Sequence, residues 1–226
     1  MPDLKGVILD VDGTLVDSNE AHVQAWVKAF KRGGYDVPAE RIRPLIGMGS
    51  DNLLPTLIHV EKDTPEGEKL SEYWKEIFES EYLPNLKAFP KTKELLERLK
   101  ADGFKLAVAS SAEKEMLKRL LEIAGADKLI EDETSADDAE NSKPDPDIVQ
   151  AALDKLNLNP KEVVMLGDTP YDIEAAGKTS VKVIALRCGG WNDGGLKGAI
   201  AIYDDPADLL AHLDNSPLGA KTKNKC

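Results

Sequence analysis

Five short runs of aliphatic residues, nearly free of polar positions and each stopping at a small or polar residue, constrain this chain more than any other feature. They are Gly6-Val7-Ile8-Leu9, Leu106-Ala107-Val108-Ala109, Val163-Val164-Met165-Leu166, residues 181–186 and the weaker Ala199-Ile200-Ala201-Ile202. A strand with one wet face alternates apolar and polar residues, whereas a continuous run needs cover on both faces. Amphipathic helices supply that cover. Leu95, Leu96 and Leu99 form one stripe in residues 91–102, with Gly103 as its stop; Met116, Leu117, Leu120 and Leu121 form another in residues 112–124, ended by Gly125. Strand and helix in alternation predict an α/β fold around a parallel sheet.

Residues 16–87 break this rhythm, because they hold helical patterns and no convincing strand. Ser18 is placed to cap a helix bearing Val23, Trp26, Val27 and Phe30, which Gly33-Gly34 ends. A second long helix carries Leu70, Tyr73, Trp74 and Ile77 and stops before Pro84. The expectation is a small helical bundle at 16–87, inserted after the first strand of a core made of 1–15 and 88–214. From 215 to 226 the residues are polar or small, with three lysines and no periodicity, and a flexible tail is expected.

Charge excludes several classes of function. The 226 residues carry 41 acidic against 29 basic side chains, a net charge of -12. With no broad basic face, nucleic acid is not expected as a partner, and neither is an anionic membrane. No apolar run approaches the roughly 20 residues that cross a bilayer, and the N-terminus has no basic segment leading into a long apolar stretch. A cytoplasmic protein, acting as a monomer or weak dimer, is expected. Cys188 and Cys226 lie far apart with no metal-binding spacing, which reads as reduced, unpaired thiols.

The chemistry sits where the apolar runs stop. Ligands of open parallel sheets bind beyond the carboxyl ends of the strands, so the residues after each run share one crevice. The first run ends at Asp10 and Asp12, the second at Ser110 and Ser111, and the third at Gly167-Asp168 with Asp172 four residues on. Lys143, in "NSKPDPD", lies in a loop that can reach the same edge. Two carboxylates about 4 Å apart repel by roughly 4 kcal/mol at an effective dielectric of 20, so a positive charge is needed among them. An all-oxygen ligand set suits a hard cation, and Mg2+ in particular. Taken singly, an aspartate after a strand is usually a turn former or cap, as Asp17 is read here, and Ser110 and Ser111 also suit a helix cap.

"DVDGT" with "LVDS" behind it, "LAVASS", "SKPDP" and "LGDTPYDIEAA" together resemble the four successive motifs of the haloacid dehalogenase superfamily, in order, over residues 5–190. The resemblance implies a Rossmann-like parallel sheet with helices on both faces and a helical cap inserted after the first motif. It also implies roles. Asp10 matches the nucleophile that takes up a phosphoryl group, and Asp12 the general acid/base, which needs a carboxyl partly protonated at working pH; crowding by other negative groups is expected to raise it. Mg2+ would be held by the Asp10 carboxylate, the Asp12 backbone carbonyl and Asp168, with Asp172 positioning a metal-bound water or Lys143. Ser110, Ser111 and Lys143 would bind phosphate.

Members of that superfamily that cleave carbon–halogen bonds or phosphonates lack an aspartate two positions after the nucleophile, so Asp12 favours phosphoryl transfer from a small phosphorylated metabolite. His22 and Trp26 resemble the helix of the β-phosphoglucomutases and sugar phosphatases; a histidine there is placed to steer the acid/base residue or act in the hinge, or simply to hydrogen-bond at the cap junction. Ser50, however, stands where those mutases carry an arginine that grips a second phosphate, and Gly167 where they carry a glutamate. Both differences favour hydrolysis over isomerisation. His22, Met48, Ser50, Asn52 and Lys75 are the expected substrate selectors of the cap. Trp191 is expected to pack a loop rather than line the entrance. A non-catalytic, phosphate- or partner-binding relative would be expected to lack Asp10 or Lys143, and a receiver-type signalling domain would need only about half this length.

Overall fold

A computed structural model describes residues 3–130, 132–135 and 138–219. At its centre is a six-stranded parallel sheet of β1 (Gly6–Leu9), β2 (Lys105–Ala109), β3 (Asp132–Thr134), β4 (Val163–Gly167), β5 (Lys182–Leu186) and β6 (Ala201–Tyr203). The spatial order is β3-β2-β1-β4-β5-β6. β1 comes first in the chain yet lies in the middle of the sheet, so the winding reverses there and opens a crevice at the carboxyl ends of β1 and its neighbours. Leu9 pairs with both Val108 and Leu166. Asp10 therefore leaves the sheet level with Ala109 and Gly167, one residue before Ser110 and Asp168.

After β1 the chain enters an insertion of four helices, α1 (Asn19–Arg32), α2 (Ala39–Ile42), α3 (Ser50–Ile58) and α4 (Pro65–Ile77). Thr64 caps α4 by accepting a hydrogen bond from Gly67 N at 3.1 Å. The outgoing and returning linkers run side by side: Asp17 N donates to Lys87 O at 2.9 Å and Phe89 N to Leu15 O at 3.0 Å. The remaining helices are α5 (Thr92–Ala101), α6 (Lys114–Ala124), α7 (Asp147–Leu156), α8 (Pro170–Lys178) and α9 (Pro206–Ala211).

Alternate residues of the strands face opposite layers. Val7, Leu9, Val108 and Leu166 join one apolar core with α5, α6, α9 and the inserted helices; Ile8, Ala107, Met165 and Val183 join a second with α7 and α8. Val7, Ile8 and Leu9 have no exposed surface at all, which is why this strand reads as an unbroken aliphatic run. Each such side chain contributes about 1.5–3 kcal/mol by leaving water.

Three expectations need correction. The fifth run forms strand only at Ala201–Tyr203, and the edge strand β3, three residues long, has no aliphatic run to announce it. The flexible tail does not begin at 215: Leu218 is buried in the first core, and its N–H donates to Ser216 Oγ at 3.1 Å. Residues 220–226 lie outside the described residues. Ser18 stands at the α1 N-cap, but its hydroxyl makes no capping bond; it has another partner in the site.

Candidate active site

Asp10 is 7% exposed where β1 ends, and Lys143, in the loop ahead of α7, is 1% exposed. Lys143 Nζ donates to Asp10 Oδ1 at 2.5 Å and lies 2.8 Å from Asp172 Oδ1. Asp172 belongs to the first turn of α8. Its Oδ2 accepts from Asp168 N, Thr169 N and Thr169 Oγ1 at 3.2, 3.0 and 2.7 Å, while its own N–H donates back to Thr169 Oγ1. The helix cap thereby fixes one carboxylate oxygen and aims the other at the lysine. Of the two roles expected for Asp172, this geometry favours holding Lys143.

Asp168 is wholly buried after β4. Thr14 Oγ1 donates to its Oδ1 at 2.9 Å and Asn19 Nδ2 to its Oδ2 at 3.0 Å, and Asn19 also donates to Gly189 O at 2.9 Å. Two glycines leave room for this carboxylate. A Cβ on Gly189 would sit 1.7 Å from Asp168 Oδ2 and one on Gly13 2.3 Å from it; Gly13 also has φ +77°, a left-handed turn that favours glycine.

Carboxylate oxygens of Asp10, Asp168 and Asp172 lie within 4.8 Å of one another. Burial pushes the Asp10 carboxyl up to about 7, with Lys143 pulling it down and Asp172 pushing it further up. Burial, then Asp10 and Asp172, raise Asp168 well above the ordinary range. Burial would lower the Lys143 ammonium, but the facing Asp10 and Asp172 outweigh it and raise it. One lysine thus stands against three buried carboxylates. This all-oxygen set is short of positive charge and fits a hard divalent cation.

Asp12 turns away from the cluster. Its Oδ1 accepts from Ser18 Oγ at 2.5 Å and from His22 Nε2 at 2.8 Å, which is where the missing cap hydroxyl has gone. The His22 ring lies against Phe78 and Trp74, with centroids 4.3 and 5.5 Å away. Burial raises the Asp12 carboxyl, but the charge of His22 and the hydrogen bonds of His22 and Ser18 hold it below the ordinary range. The expected upward shift from crowding is therefore corrected: His22, expected as a residue that could steer the acid/base group, lies against Asp12 and with Ser18 outweighs burial and the acidic neighbours.

A cavity of about 570 Å³ lies between the inserted helices and the sheet edge, reaching Asp10, Asp12 and Ser110. Ser110 Oγ accepts from Ala112 N at 3.1 Å, leaving its hydroxyl hydrogen for another acceptor, and the buried Ser111 Oγ on the cavity wall has no partner. Of the expected selectors, His22, Met48, Ser50 and Lys75 line the cavity. Asn52 does not; its Nδ2 donates to Lys143 O at 3.4 Å, beside the 3.2 Å bond from Ser142 N to Asp51 Oδ2. Lys75 Nζ donates to Glu113 Oε2 at 2.6 Å, and both residues line the cavity. Trp191 is not part of the lining and packs on Gly195, where a Cβ would come within 2.5 Å of its ring.

Sequence reasoning missed Asn19, Glu113, Ser71 and Asn52's grip on the Lys143 loop. Asn19 alone left a trace, as the residue after the "LVDS" string, yet one asparagine at a helix start is ordinarily a cap.

The family model described as haloacid dehalogenase-like hydrolase matches residues 7–186. A phosphoglycolate phosphatase of Aquifex aeolicus (strain VF5) is 31% identical over 220 residues, covering 94% of this chain and 98% of that protein. A phosphorylated carbohydrates phosphatase of Thermotoga maritima is 30% identical over 215 residues, 92% of this chain and 97% of its own. Among solved structures, a hydrolase from Pseudomonas syringae superposes with a TM-score of 0.86 at 32% identity, covering 93% of this chain and 98% of that one.

Proposed function

This chain belongs to the haloacid dehalogenase-like hydrolase family, and on that footing we propose that it is a Mg2+-dependent phosphatase of a small phosphorylated metabolite, working through an aspartyl-phosphate on Asp10. The observation that carries this reading is the buried set of Asp10, Lys143, Asp168 and Asp172 under a cavity that Asp10 reaches. Phosphate monoesters hydrolyse so slowly in water that a catalyst needs charge fixed in advance around the phosphorus.

Lys143 holds Asp10 Oδ1, which leaves Oδ2 to attack phosphorus as the P–O bond to the leaving alcohol breaks. Asp12 gives that alcohol its proton, then takes one from the water that cleaves the Asp10–phosphorus bond. Its carboxyl, held low by His22 and Ser18, must rise, and a phosphoryl dianion arriving beside it supplies the push. Ser110 and Ser111 donate to the phosphoryl oxygens. Asp10, Asp168 and the Asp12 carbonyl would hold Mg2+, which when bound supplies positive charge against the transferring group. Asp172 stays with Lys143. No arginine lines the cavity among the described residues, so a second phosphate lacks a bidentate clamp, which supports hydrolysis over mutase chemistry.

The test is phosphate release from para-nitrophenyl phosphate with and without Mg2+, comparing wild type with Asp10→Asn. Release that needs both Mg2+ and the carboxylate is expected. Equal inertness of both proteins toward a wide panel of phosphate esters refutes the reading.

A further inference from the structure

The loop that presents Lys143 is held from two sides. The core supplies the outer anchors: Asp147 Oδ2 accepts from Asn141 N and Nδ2 at 3.0 and 2.9 Å, and Lys178 Nζ donates to Pro144 O at 2.9 Å. The main chain next to the lysine is held from the inserted helices instead. Asp51 Oδ2, in the first turn of α3, accepts from Ser142 N at 3.2 Å, and the neighbouring Asn52 Nδ2 donates to Lys143 O at 3.4 Å. Gly49, just ahead of α3, lets the two backbones approach: a Cβ there would sit 2.1 Å from Ser142 Oγ and 2.3 Å from Asp51 Oδ1. The same stretch also meets the far end of the lysine's ion pair. A Cβ on Gly47 would come within 2.7 Å of Thr169 Cγ2, and Tyr171 Oη donates to Pro44 O at 2.6 Å. Thr169 caps α8 and fixes Asp172.

From this seam we infer that Asp51 and Asn52 are positioning residues, which act through the Lys143 main chain to set where its ammonium meets Asp10 and Asp172. The inference rests on the phosphatase reading above and adds two residues to its machinery. Neither side chain lines the cavity, so neither is placed to choose among substrates. Stability does not account for Asp51 either, because its Oδ1 is buried with no hydrogen-bond partner, and a buried acceptor left unmade is costly. What the two residues do hold is the lysine's backbone, one hydrogen bond on each side of its Cα. Lys143 Nζ has to meet Asp10 Oδ1 and Asp172 Oδ1 at once. A displacement of about 1 Å in a group that fixes charge at the reacting atoms costs about 100-fold in rate. Two hydrogen bonds from outside the core thus govern a contact at its centre.

Two measurements test the inference: steady-state kinetics with Mg2+ on para-nitrophenyl phosphate, phosphoglycolate and a hexose monophosphate, and urea unfolding without metal. Asp51→Ala should lower kcat about 10- to 100-fold and Asn52→Ala about 3- to 10-fold, with KM moved less than about threefold. The factor should be nearly the same for every ester turned over, and circular dichroism should stay native. Asp51→Asn keeps an oxygen for Ser142 N and should recover kcat to within about threefold of wild type. Gly49→Ala, which forces Ser142 and Asp51 apart, should lose kcat as Asp51→Ala does. In unfolding, a lysine already displaced has less pairing to lose, so Asp51→Ala should shrink the drop in urea midpoint caused by Lys143→Met by about a third or more. If both alanine variants keep kcat within about twofold of wild type, the inference is overturned and the phosphatase reading stands. The same holds for a loss that differs more than about tenfold between esters, or one that Asp51→Asn leaves unrecovered. A wild type inert toward every ester overturns the phosphatase reading, and the urea measurements then decide the positioning alone: midpoint losses that simply add overturn it.

Discussion

Binding of Mg2+ should weaken steeply in mild acid. The Asp10 carboxyl is pushed up to about 7 and Asp168 is raised as well, in each case first by burial. A cation needs these carboxylates ionised, so binding must expel whatever protons they hold. At about pH 5.5 a group of pKa about 7 is only about 3% ionised, against nearly full ionisation at about pH 8.5, so Asp10 alone weakens apparent affinity about 30-fold. Asp168 makes the dependence steeper. Lys143 adds nothing to it, because its ammonium is raised and stays charged throughout. Two aspartates of ordinary pKa, near 3.9, would leave the affinity scarcely changed over the same range. Isothermal titration calorimetry in two buffers of different ionisation heat measures both the Kd and the protons released. More than one proton released near pH 6, and an affinity at least 30-fold weaker at about pH 5.5 than at about pH 8.5, is expected. A Kd constant within about twofold, with no proton release, refutes the picture of carboxylates strained by missing positive charge.

Three substitutions probe the same cluster from its surroundings. Gly189→Ala puts a Cβ where Asp168 Oδ2 stands, 1.7 Å away, and should weaken Mg2+ binding at least tenfold by calorimetry while circular dichroism stays native. Asn19→Ala removes the donor that ties Asp168 to Gly189; a 10- to 100-fold loss of metal affinity is expected, with Gln24→Ala on the same helix as the indifferent control. Lys143→Met keeps the volume but leaves Asp10 and Asp172 without their cation. Removing one partner of a buried pair costs about 3–5 kcal/mol, so urea unfolding without metal should show that loss. The deficit should grow from about pH 6 to pH 8, because a folded-state carboxyl with a raised pKa destabilises more as pH rises through it.

How much of this was legible in the sequence depends on what each residue answers to. β1, β2, β4 and β5 announce themselves because burial on both faces forces continuous aliphatic runs, and the carboxylates at their ends follow from the parallel topology. β3 is three residues at the sheet edge, where one neighbour is missing and no such run is required. In the inserted helices the same amphipathic period that reveals α1 and α4 hides their function: Trp26 and Trp74 meet with ring centroids 5.5 Å apart and read as core, while Ser71 and Glu72 read as solvated face. Helical spacing separates inward from outward; it does not tell water from a cavity. Pairings across long sequence separations, such as Lys75 with Glu113 or Asn52 with Lys143, leave no local signal at all.

His22 shows why the protonation of Asp12, the proposed acid/base residue, is not given by counting charges along the chain. Counting charges along the sequence surrounds Asp12 with acids and predicts a raised carboxyl, yet the turn at Gly13 directs Asp12 away from Asp10 and Asp168 and toward Ser18 and His22. The imidazole is braced from behind by Phe78 and Trp74, so it cannot withdraw without disturbing the helices that also present Ser71. Two carboxylates two residues apart thus sit in opposite surroundings, Asp10 raised by burial and then by Asp172 despite Lys143, and Asp12 lowered beside His22 despite its burial. Separating two carboxyls in this way is how one site assigns them different tasks. For the proposed reaction the Asp12 carboxyl has to rise against His22 and Ser18, and the negative charge of an arriving phosphoryl group is what raises it.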